Sequence, residues 1–251
     1  ARGVKEDIDA VLKSEAKGVN LCIPTSSLHL QHKLKKRKEE VLKLAEDCTQ
    51  YAKDHGLTVE LSAEDATRSD FNFLTKIFAT GVSADADRIC PCDTVGVLTP
   101  EKTSELFSDL RKTFAKVPMS AHCHDDFGLA VANSITALKS GADQVHATMN
   151  GLGERAGNAA LEEIVVALKA VYKAGVSVKT ELLYETSRLV ARLTGVSVQP
   201  NKAIVGENAF VHESGMHTHG VLANPLTYEP ISPKLVGRTR RLVSGKHAGS
   251  R

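Results

Sequence analysis

The sequence predicts an α/β protein that forms part of a (β/α)8 TIM barrel, because short apolar runs alternate with amphipathic helical segments. The runs recur at intervals of roughly 30 residues, which is typical of βα units in a parallel sheet. A polar cluster follows each run, and a barrel builds its active site at the carboxyl ends of its strands. An open doubly wound sheet would carry its chemistry at a single switch point instead.

Five strands and six helices are predicted. The strands cover 19–23, 58–61, 88–92, 117–121 and 144–148, and the helices cover 38–55, 70–79, 100–115, 129–140, 159–174 and 179–193. Because a closed barrel needs eight strands, we expect about three more strands before residue 1 and interpret the chain as a piece of a longer protein. We assign residues 1–177 to the barrel and residues 178–251 to a small, mostly helical linker subdomain.

The composition limits the class of protein. A chain of 251 residues, 42% hydrophobic and with a net charge of +2, can bury a core and has no basic excess that would favour nucleic acid as a partner. We find no apolar run of membrane-spanning length and no secretory signal, so we expect a cytoplasmic protein that does not bind membranes. The five cysteines form no CxxC pair, and we interpret them as reduced thiols, including the buried pair Cys90 and Cys92.

The segment His122-Cys123-His124 carries the first chemical signal. Alternate residues of a strand point to one face, so His122 and His124 can present two imidazoles to one point in space. With a further ligand they can hold a divalent metal. Paired histidines at a strand end are more often merely polar residues, but a second strand and the glycine-rich turn 151–158 follow, which favours the metal site.

Several motifs occur in order at successive strand ends and in the tail. They are SAEDATR at 62–68, DTVG at 93–96, HCHDDFG at 122–128, GLGERAGN at 151–158, HESGMH at 212–217, YEPISP at 228–233 and GKHAG at 245–249. Together they resemble the 2-isopropylmalate synthase, homocitrate synthase and citramalate synthase family over essentially the whole chain. The last three motifs resemble the linker subdomain of that family.

The resemblance implies a metal-dependent condensation of acetyl-CoA with a 2-oxo acid, followed by hydrolysis of the thioester. It implies that His122, His124 and Asn158 bind the metal, which this nitrogen and oxygen ligand set leaves open between Mg²⁺, Mn²⁺ and Zn²⁺. The family's remaining protein ligand is an Asp on the first strand, beside a catalytic Arg. Neither that Asp nor that Arg is present in this sequence, so we expect this chain alone to lack a complete site.

The remaining site residues are also assigned through the resemblance. Thr94 and Ser62 match substrate-binding residues, and Thr94 is the one that bonds the substrate carboxylate. Glu64, which shares a strand face with Ser62, matches a carboxylate with an acid–base or orienting role. His217 matches a histidine that reaches the site from a partner subunit, and Tyr228 matches a tyrosine near it. We therefore expect a homodimer with exchanged tails.

Structural interpretations compete with functional ones at several positions. We expect at least one of Asp125 and Asp126 to cap a helix, and Glu154 and Arg155 to form an ion pair that supports the turn before Asn158. The basic run 33–38 is interpreted as the solvated start of a helix, with contact to an anionic substrate as the alternative. Surface or packing roles are assigned to the other histidines, at positions 29, 32, 55, 146, 212, 219 and 247, with His212 and His219 kept as alternatives to His217.

The acceptor and the reaction have alternatives. We place 2-oxoisovalerate first, before 2-oxoglutarate and pyruvate. Three residues depart from the family pattern. Asn20 stands where relatives usually carry a His near the 2-oxo acid. His32 stands where relatives often have Tyr, and Asp85 replaces a customary Gly. A carbon–carbon lyase of the same superfamily, an amidohydrolase-type enzyme and a non-catalytic binding module are the competing classes. The tail motifs favour the synthase. Whether a regulatory domain follows residue 251 is left open.

Overall fold

The computed structural model describes residues 1–243, and they divide into two compact units. The first comprises residues 1–147 and 153–159, and the second comprises residues 148–152 and those from 160 onward. The GKHAG motif at 245–249 therefore lies outside the described residues. Within residues 1–243, every helix is too short or too polar to cross a membrane.

The first unit is a parallel sheet with helices between its strands. Its strands are β1 (Gly18–Pro24), β2 (Thr58–Glu64), β3 (Arg88–Asp93), β4 (Ser120–Cys123) and β5 (Gln144–His146), and its helices are α1 (Lys5–Lys13), α2 (Lys38–Asp54), α3 (Phe71–Ser83), α4 (Pro100–Thr113) and α5 (Ala130–Lys139). The strands are hydrogen-bonded in sequence order without a reversal. This order lacks a topological switch point and agrees with the predicted barrel rather than a doubly wound sheet.

Strand residues divide between two faces by parity. Odd-numbered residues such as Leu21, Leu61 and Ile89 are fully buried and pack in the core with helix residues such as Phe78. Alternation therefore turns the even-numbered residues toward the opposite face, away from the helices. Apolar odd positions fix the register of each strand, and the polar even positions are left to form a site.

Several observed bounds differ from the predicted ones by up to four residues, as at the ends of α3 and of the helix Leu161–Ala170, and two differences have a clear physical cause. The fourth strand begins at Ser120 rather than at residue 117, because Pro118 has no N–H to donate to a ladder. The basic run does not open α2. A π-helical turn covers His29–Leu34, Lys35 follows with φ +53°, and α2 begins at Lys38. A left-handed residue interrupts the helix here, so the run belongs to the loop that follows β1.

The departure at Asp85 has a simple structural setting. Asp85 lies exposed after α3 and has φ +65°, a left-handed conformation that glycine adopts most easily. Aspartate tolerates this region better than most residues. The substitution therefore fits the turn between α3 and β3.

The second unit is mostly helical. It contains α6 (Leu161–Ala170), α7 (Leu183–Thr194) and α8 (Gly215–Ala223), with a short parallel pair, β6 (Val211–His212) and β7 (Arg241–Leu242). Its core is formed by Val165, Val166, Leu183, Phe210 and Val236. Gly195 ends α7 with φ +73°, which releases the chain from the helix into a loop. The predicted domain division after residue 177 stays a prediction.

Candidate active site and metal centre

The even face of the first unit gathers five of the predicted site residues at the carboxyl ends of neighbouring strands. Ser62 and Glu64 belong to β2, and His122 belongs to β4. Thr94 and His124 come directly after β3 and β4. Parallel register brings these strand ends to one edge of the sheet, with Cys92 of β3 opposite His122.

His122 and His124 form the centre of the candidate metal site. Their Nε2 atoms lie 3.1 Å apart. Two ligand atoms about 2.1 Å from one cation and at right angles to each other are separated by about 3.0 Å. The observed separation therefore fits two adjacent positions in the coordination shell of a single divalent ion.

Both rings favour the neutral form that binds metals. Burial, together with the neighbouring rings of His124 and His146, lowers the pKa of His122 to about 4. Burial and the positive charge of Arg155 lower the pKa of His124. A neutral imidazole has a lone pair to donate, so a cation does not have to displace a proton from either ring at neutral pH.

Asn158 lies next to the pair through backbone contacts. An isolated antiparallel bridge joins it to His124, and the N–H of Ala159 donates to the carbonyl of Cys123 at 3.2 Å. The Asp125 N–H donates to the carbonyl of Gly157 at 2.9 Å. The turn that carries Asn158 is thus attached along the end of β4. Two nitrogens and one amide oxygen form a mixed donor set that suits a divalent cation.

Arg155 supports this turn, but not in the predicted way. The expected ion pair with Glu154 is wrong. Arg155 instead donates to both carboxylate oxygens of Asp126, at 2.7 and 2.8 Å, and to the carbonyl of Thr94 at 2.7 Å. The planar guanidinium has donors enough to connect two loops at once. The expected cap is present at Asp125, whose carboxylate accepts from the N–H of Ala130 at 2.8 Å, at the start of α5.

Glu64 lies among partners that the sequence analysis did not identify. Both of its carboxylate oxygens accept from Lys33 Nζ, at 2.6 and 2.7 Å. The Nδ1 atom of His29 lies 3.5 Å from the same carboxylate. The spacing of four residues between His29 and Lys33 was the available signal, since it places both side chains on one side of a helical turn.

A second polar cluster lies further along the even face. The carboxylate of Glu60 accepts from Asn20 at 2.7 Å and from Ser120 at 2.5 Å, and it pairs with His146 Nε2 at 3.0 Å. Burial acts to raise the pKa of Glu60, but the hydrogen bonds from His146 and Ser120 outweigh it and lower that pKa. His146, which was assigned an ordinary role, also packs edge-on against His122, with ring centroids 5.5 Å apart.

The same cluster includes a possible alternative set of metal ligands. Glu60, Cys90 and His146 offer ligand atoms within 4.8 Å of one another. Burial, however, raises the pKa of Cys90 well above its ordinary value, which keeps the thiol protonated, and the Glu60 oxygens already have donors. Cys90 and Cys92 are buried free thiols, as predicted. The chemistry of these donors therefore favours the His122–His124 pair for a cation.

The second unit carries the two remaining predicted residues. The rings of His217 and Tyr228 stack with centroids 3.9 Å apart and an interplanar angle of 20°. Gly220 makes this stack possible, because a Cβ at that position would lie 2.7 Å from Cε2 of Tyr228. The neighbouring buried carboxylate of Glu229 accepts from Arg240 at 2.6 and 2.7 Å. The expected pairing of a histidine with a tyrosine in the tail is thus present as a defined local structure.

A sheet of successive βα units with polar side chains at its strand ends defines the class of TIM-barrel proteins. A family model described as HMGL-like matches residues 1–190, and one described as homocitrate synthase post-HMGL domain-like matches residues 204–251. The chain belongs to the HMGL-like family, in its group of 2-isopropylmalate, homocitrate and citramalate synthases. The predicted family and fold class are confirmed.

Individual comparisons agree with this assignment. A relative from Methanothermobacter thermautotrophicus that carries the provisional name (R)-citramalate synthase CimA is 62% identical over 250 residues, covering 100% of this chain and 50% of the relative. The 2-isopropylmalate synthase of Methanocaldococcus jannaschii is 54% identical, covering 100% and 48%. The chain thus spans about half the length of these relatives.

A solved structure supports the fold. Hydroxymethylglutaryl-CoA lyase from Pseudomonas aeruginosa matches with a TM-score of 0.69 and 20% sequence identity, over 77% of this chain and 68% of the lyase chain. At this level of identity the likeness concerns the fold alone. It agrees with a chain that covers part of a TIM barrel.

Proposed function

We propose that the full-length protein catalyses a Claisen-type condensation of acetyl-CoA with a 2-oxo acid, followed by hydrolysis of the thioester. The observation that carries this proposal is the pair of imidazoles, with Nε2 atoms 3.1 Å apart, beside the turn of Asn158 at the strand ends. His122, His124 and Asn158 would hold a divalent cation there. When bound, such a cation supplies Lewis acidity toward the carbonyl of the 2-oxo acid.

Residues at the neighbouring strand ends would bind and orient the acceptor. The hydroxyl oxygen of Thr94 accepts from the Asp65 N–H at 2.8 Å, which leaves its proton available to donate to the carboxylate of a 2-oxo acid. Ser62 lies buried on the same even face and would contact the same substrate. Glu64, 17% exposed, would orient the reacting groups or transfer a proton between them.

Proton transfer at the acetyl group is assigned to the second unit. Removing a methyl proton and activating water for thioester hydrolysis both require a base, and imidazole is suited to this at neutral pH. His217 would be that base, and Tyr228, stacked on it, would fix the plane of the ring. We propose that the pair acts in a neighbouring protomer, in a homodimer with exchanged tails.

The acceptor has two leading candidates. The tail segments favour 2-oxoisovalerate, which would make the protein a 2-isopropylmalate synthase of leucine biosynthesis. The name of the 62% identical relative favours pyruvate and therefore citramalate. 2-Oxoglutarate remains the third candidate, since the tail matches a homocitrate synthase post-HMGL model.

Carbon–carbon cleavage is the runner-up function, because a hydroxymethylglutaryl-CoA lyase shares the fold. The post-HMGL match at residues 204–251 and the stack of His217 on Tyr228 favour the synthase. Release of acetoacetate from hydroxymethylglutaryl-CoA, without condensation of any acceptor, would select the lyase instead.

The proposal is tested by assaying the full-length protein with acetyl-CoA and each of pyruvate, 2-oxoisovalerate and 2-oxoglutarate. Release of free thiol that depends on one acceptor and on added Mg²⁺, Mn²⁺ or Zn²⁺ is expected. No thiol release with any acceptor and any of these metals would overturn the synthase function. Identification of the product by mass spectrometry assigns the acceptor.

The metal centre is tested by replacing one imidazole. His124→Ala should abolish metal-dependent turnover, because a ligand is lost from the pair, while the midpoint of thermal unfolding stays near that of the wild type. His55→Ala is the matched control, since His55 is an exposed histidine at the end of α2. Turnover by His124→Ala at the level of the control would remove His124 from the ligand set.

A further inference from the structure

Lys33 occupies an unusual position at the edge of the candidate site. It belongs to the π-helical turn at His29–Leu34, after β1, and such turns are rare and occur often at functional sites. Its Nζ atom lies 2.6 and 2.7 Å from the two oxygens of Glu64. Glu64 ends β2, so an element outside the sheet reaches back to the end of a neighbouring strand.

The segment after β1 holds Glu64 at more than one point. The N–H and the hydroxyl of Thr25 both donate to the carbonyl of Glu64 at 3.0 Å, which fixes its backbone. Lys33 holds the carboxylate, and His29 Nδ1 lies 3.5 Å from it. His29 and Lys33 are four residues apart and so project from the same side of the turn.

Lys33 differs in kind from the other cations that hold carboxylates at the strand ends. Arg68 donates two hydrogen bonds to Asp65, at 2.8 and 2.9 Å, and Arg155 likewise donates one hydrogen bond to each carboxylate oxygen of Asp126. A planar guanidinium fixes its partner in one geometry. Lys33 instead brings a point charge, on a side chain that is 53% exposed, within 2.6 and 2.7 Å of the two oxygens of Glu64.

The charge of Glu64 gives this contact a function. A 2-oxo acid carries a carboxylate, and a second carboxylate beside it would repel the substrate unless a cation offsets it. Lys33 supplies that cation, and its two contacts hold both oxygens of the Glu64 carboxylate. We propose that Lys33 is a positioning residue for Glu64, which orients this carboxylate and offsets its charge against an anionic acceptor. This inference rests on the proposed condensation.

The test uses the full-length protein with three substitutions. Lys33→Met removes the charge and keeps the length of the stem, and Lys33→Arg keeps the charge. Lys53→Met is the matched control, because Lys53 contacts both oxygens of Asp87 at 2.7 and 2.9 Å, at the opposite end of the sheet from Glu64. Initial rates of thiol release are measured as a function of acceptor and of acetyl-CoA, together with the midpoint of thermal unfolding.

Lys33→Met is expected to lower kcat by about 10- to 100-fold, the loss that follows from misplacing a reacting group, and to raise the KM of the acceptor. The KM of acetyl-CoA and the unfolding midpoint should stay close to wild type. Lys33→Arg should recover most of the rate, and Lys53→Met should retain all of it. A merely structural lysine would shift the unfolding midpoint and would not raise the acceptor KM selectively.

The outcomes separate the two proposals. If the wild type releases thiol and Lys33→Met matches it within twofold, or Lys53→Met loses as much rate, the role of Lys33 is overturned and the condensation stands. If the wild type releases no thiol with any acceptor, the condensation is overturned, and the role of Lys33 falls with it.

Discussion

Replacing Gly153 by alanine tests the turn that positions Asn158 with a single methyl group. A Cβ at Gly153 would collide with Nδ2 of Asn158 and would lie 2.9 Å from its Cγ and 3.1 Å from its backbone nitrogen. Non-bonded carbon atoms are normally separated by about 3.5 Å or more. The side chain of Asn158 would therefore have to move by roughly 0.6 Å or more, away from the position it holds beside His124.

The displacement has two expected costs. Overpacking of this kind lowers the free energy of unfolding by about 1 to 3 kcal/mol. Disturbing the support of a metal ligand weakens metal binding by about 10- to 100-fold, which corresponds to about 1.4 to 2.7 kcal/mol. Gly153 lies outside the left-handed region, so steric contact with Asn158 accounts for the effect without backbone strain.

The assay is a titration of the metal-free full-length protein with Mn²⁺, followed by electron paramagnetic resonance. Gly175→Ala serves as the control, because a Cβ there would meet no atom within 4 Å. Gly153→Ala should bind Mn²⁺ at least tenfold more weakly than the control, with a cooperative unfolding transition in both. Equal affinity of the two variants would refute the placement of Asn158 as a ligand that this turn positions.

Three further predictions concern the core, the pH dependence and the tail. Leu61→Ala should lower the free energy of unfolding in urea by about 2 to 5 kcal/mol, because Leu61 is fully buried; a loss below about 1 kcal/mol would contradict its place in the core. The hydrogen bond from Arg240 outweighs burial and lowers the pKa of Glu229 below its ordinary value of 4.5. The stabilisation from this pair is therefore complete above pH 4.5 and is lost as the pH falls through the pKa of Glu229 in the folded state. Glu229→Gln should therefore reduce the loss in free energy of unfolding between neutral pH and pH 3. An unchanged loss would assign it to other groups. Gly220→Ala should displace the ring of Tyr228 and lower kcat of thiol release by about 10- to 100-fold, and a wild-type rate would exclude the stack from catalysis.

The parity of the strands explains why much of the fold could be predicted from the sequence. The apolar run at 19–23 predicted β1, and the structure shows that residues 19, 21 and 23 form its buried face. The polar clusters after the strands indicated the site edge, and the two imidazoles of His122 and His124 lie together as predicted. Local patterning was sufficient here, because one face of each strand packs against helices.

The errors came from interactions that local patterning does not contain. The start of β4 was placed too early, since an apolar run that includes Pro118 resembles a strand but lacks one ladder donor. The partner of Arg155 was sought in the adjacent residue, whereas Asp126 lies 29 residues away in the chain. The contact of Lys33 with Glu64 spans 31 residues and depends on how β1 and β2 align.

The division of each strand into a core face and a site face has a consequence for how such proteins can diversify. Exchanges at even positions such as Asn20 or Ser120 change the side chains on the site face and leave the core beneath the helices untouched. Inserting one residue into β2 would instead turn Leu61 toward the site face and Glu60 toward the helices, damaging the site and the folding together. The site face can therefore change by substitution within strands, whereas changes of length are confined to the loops.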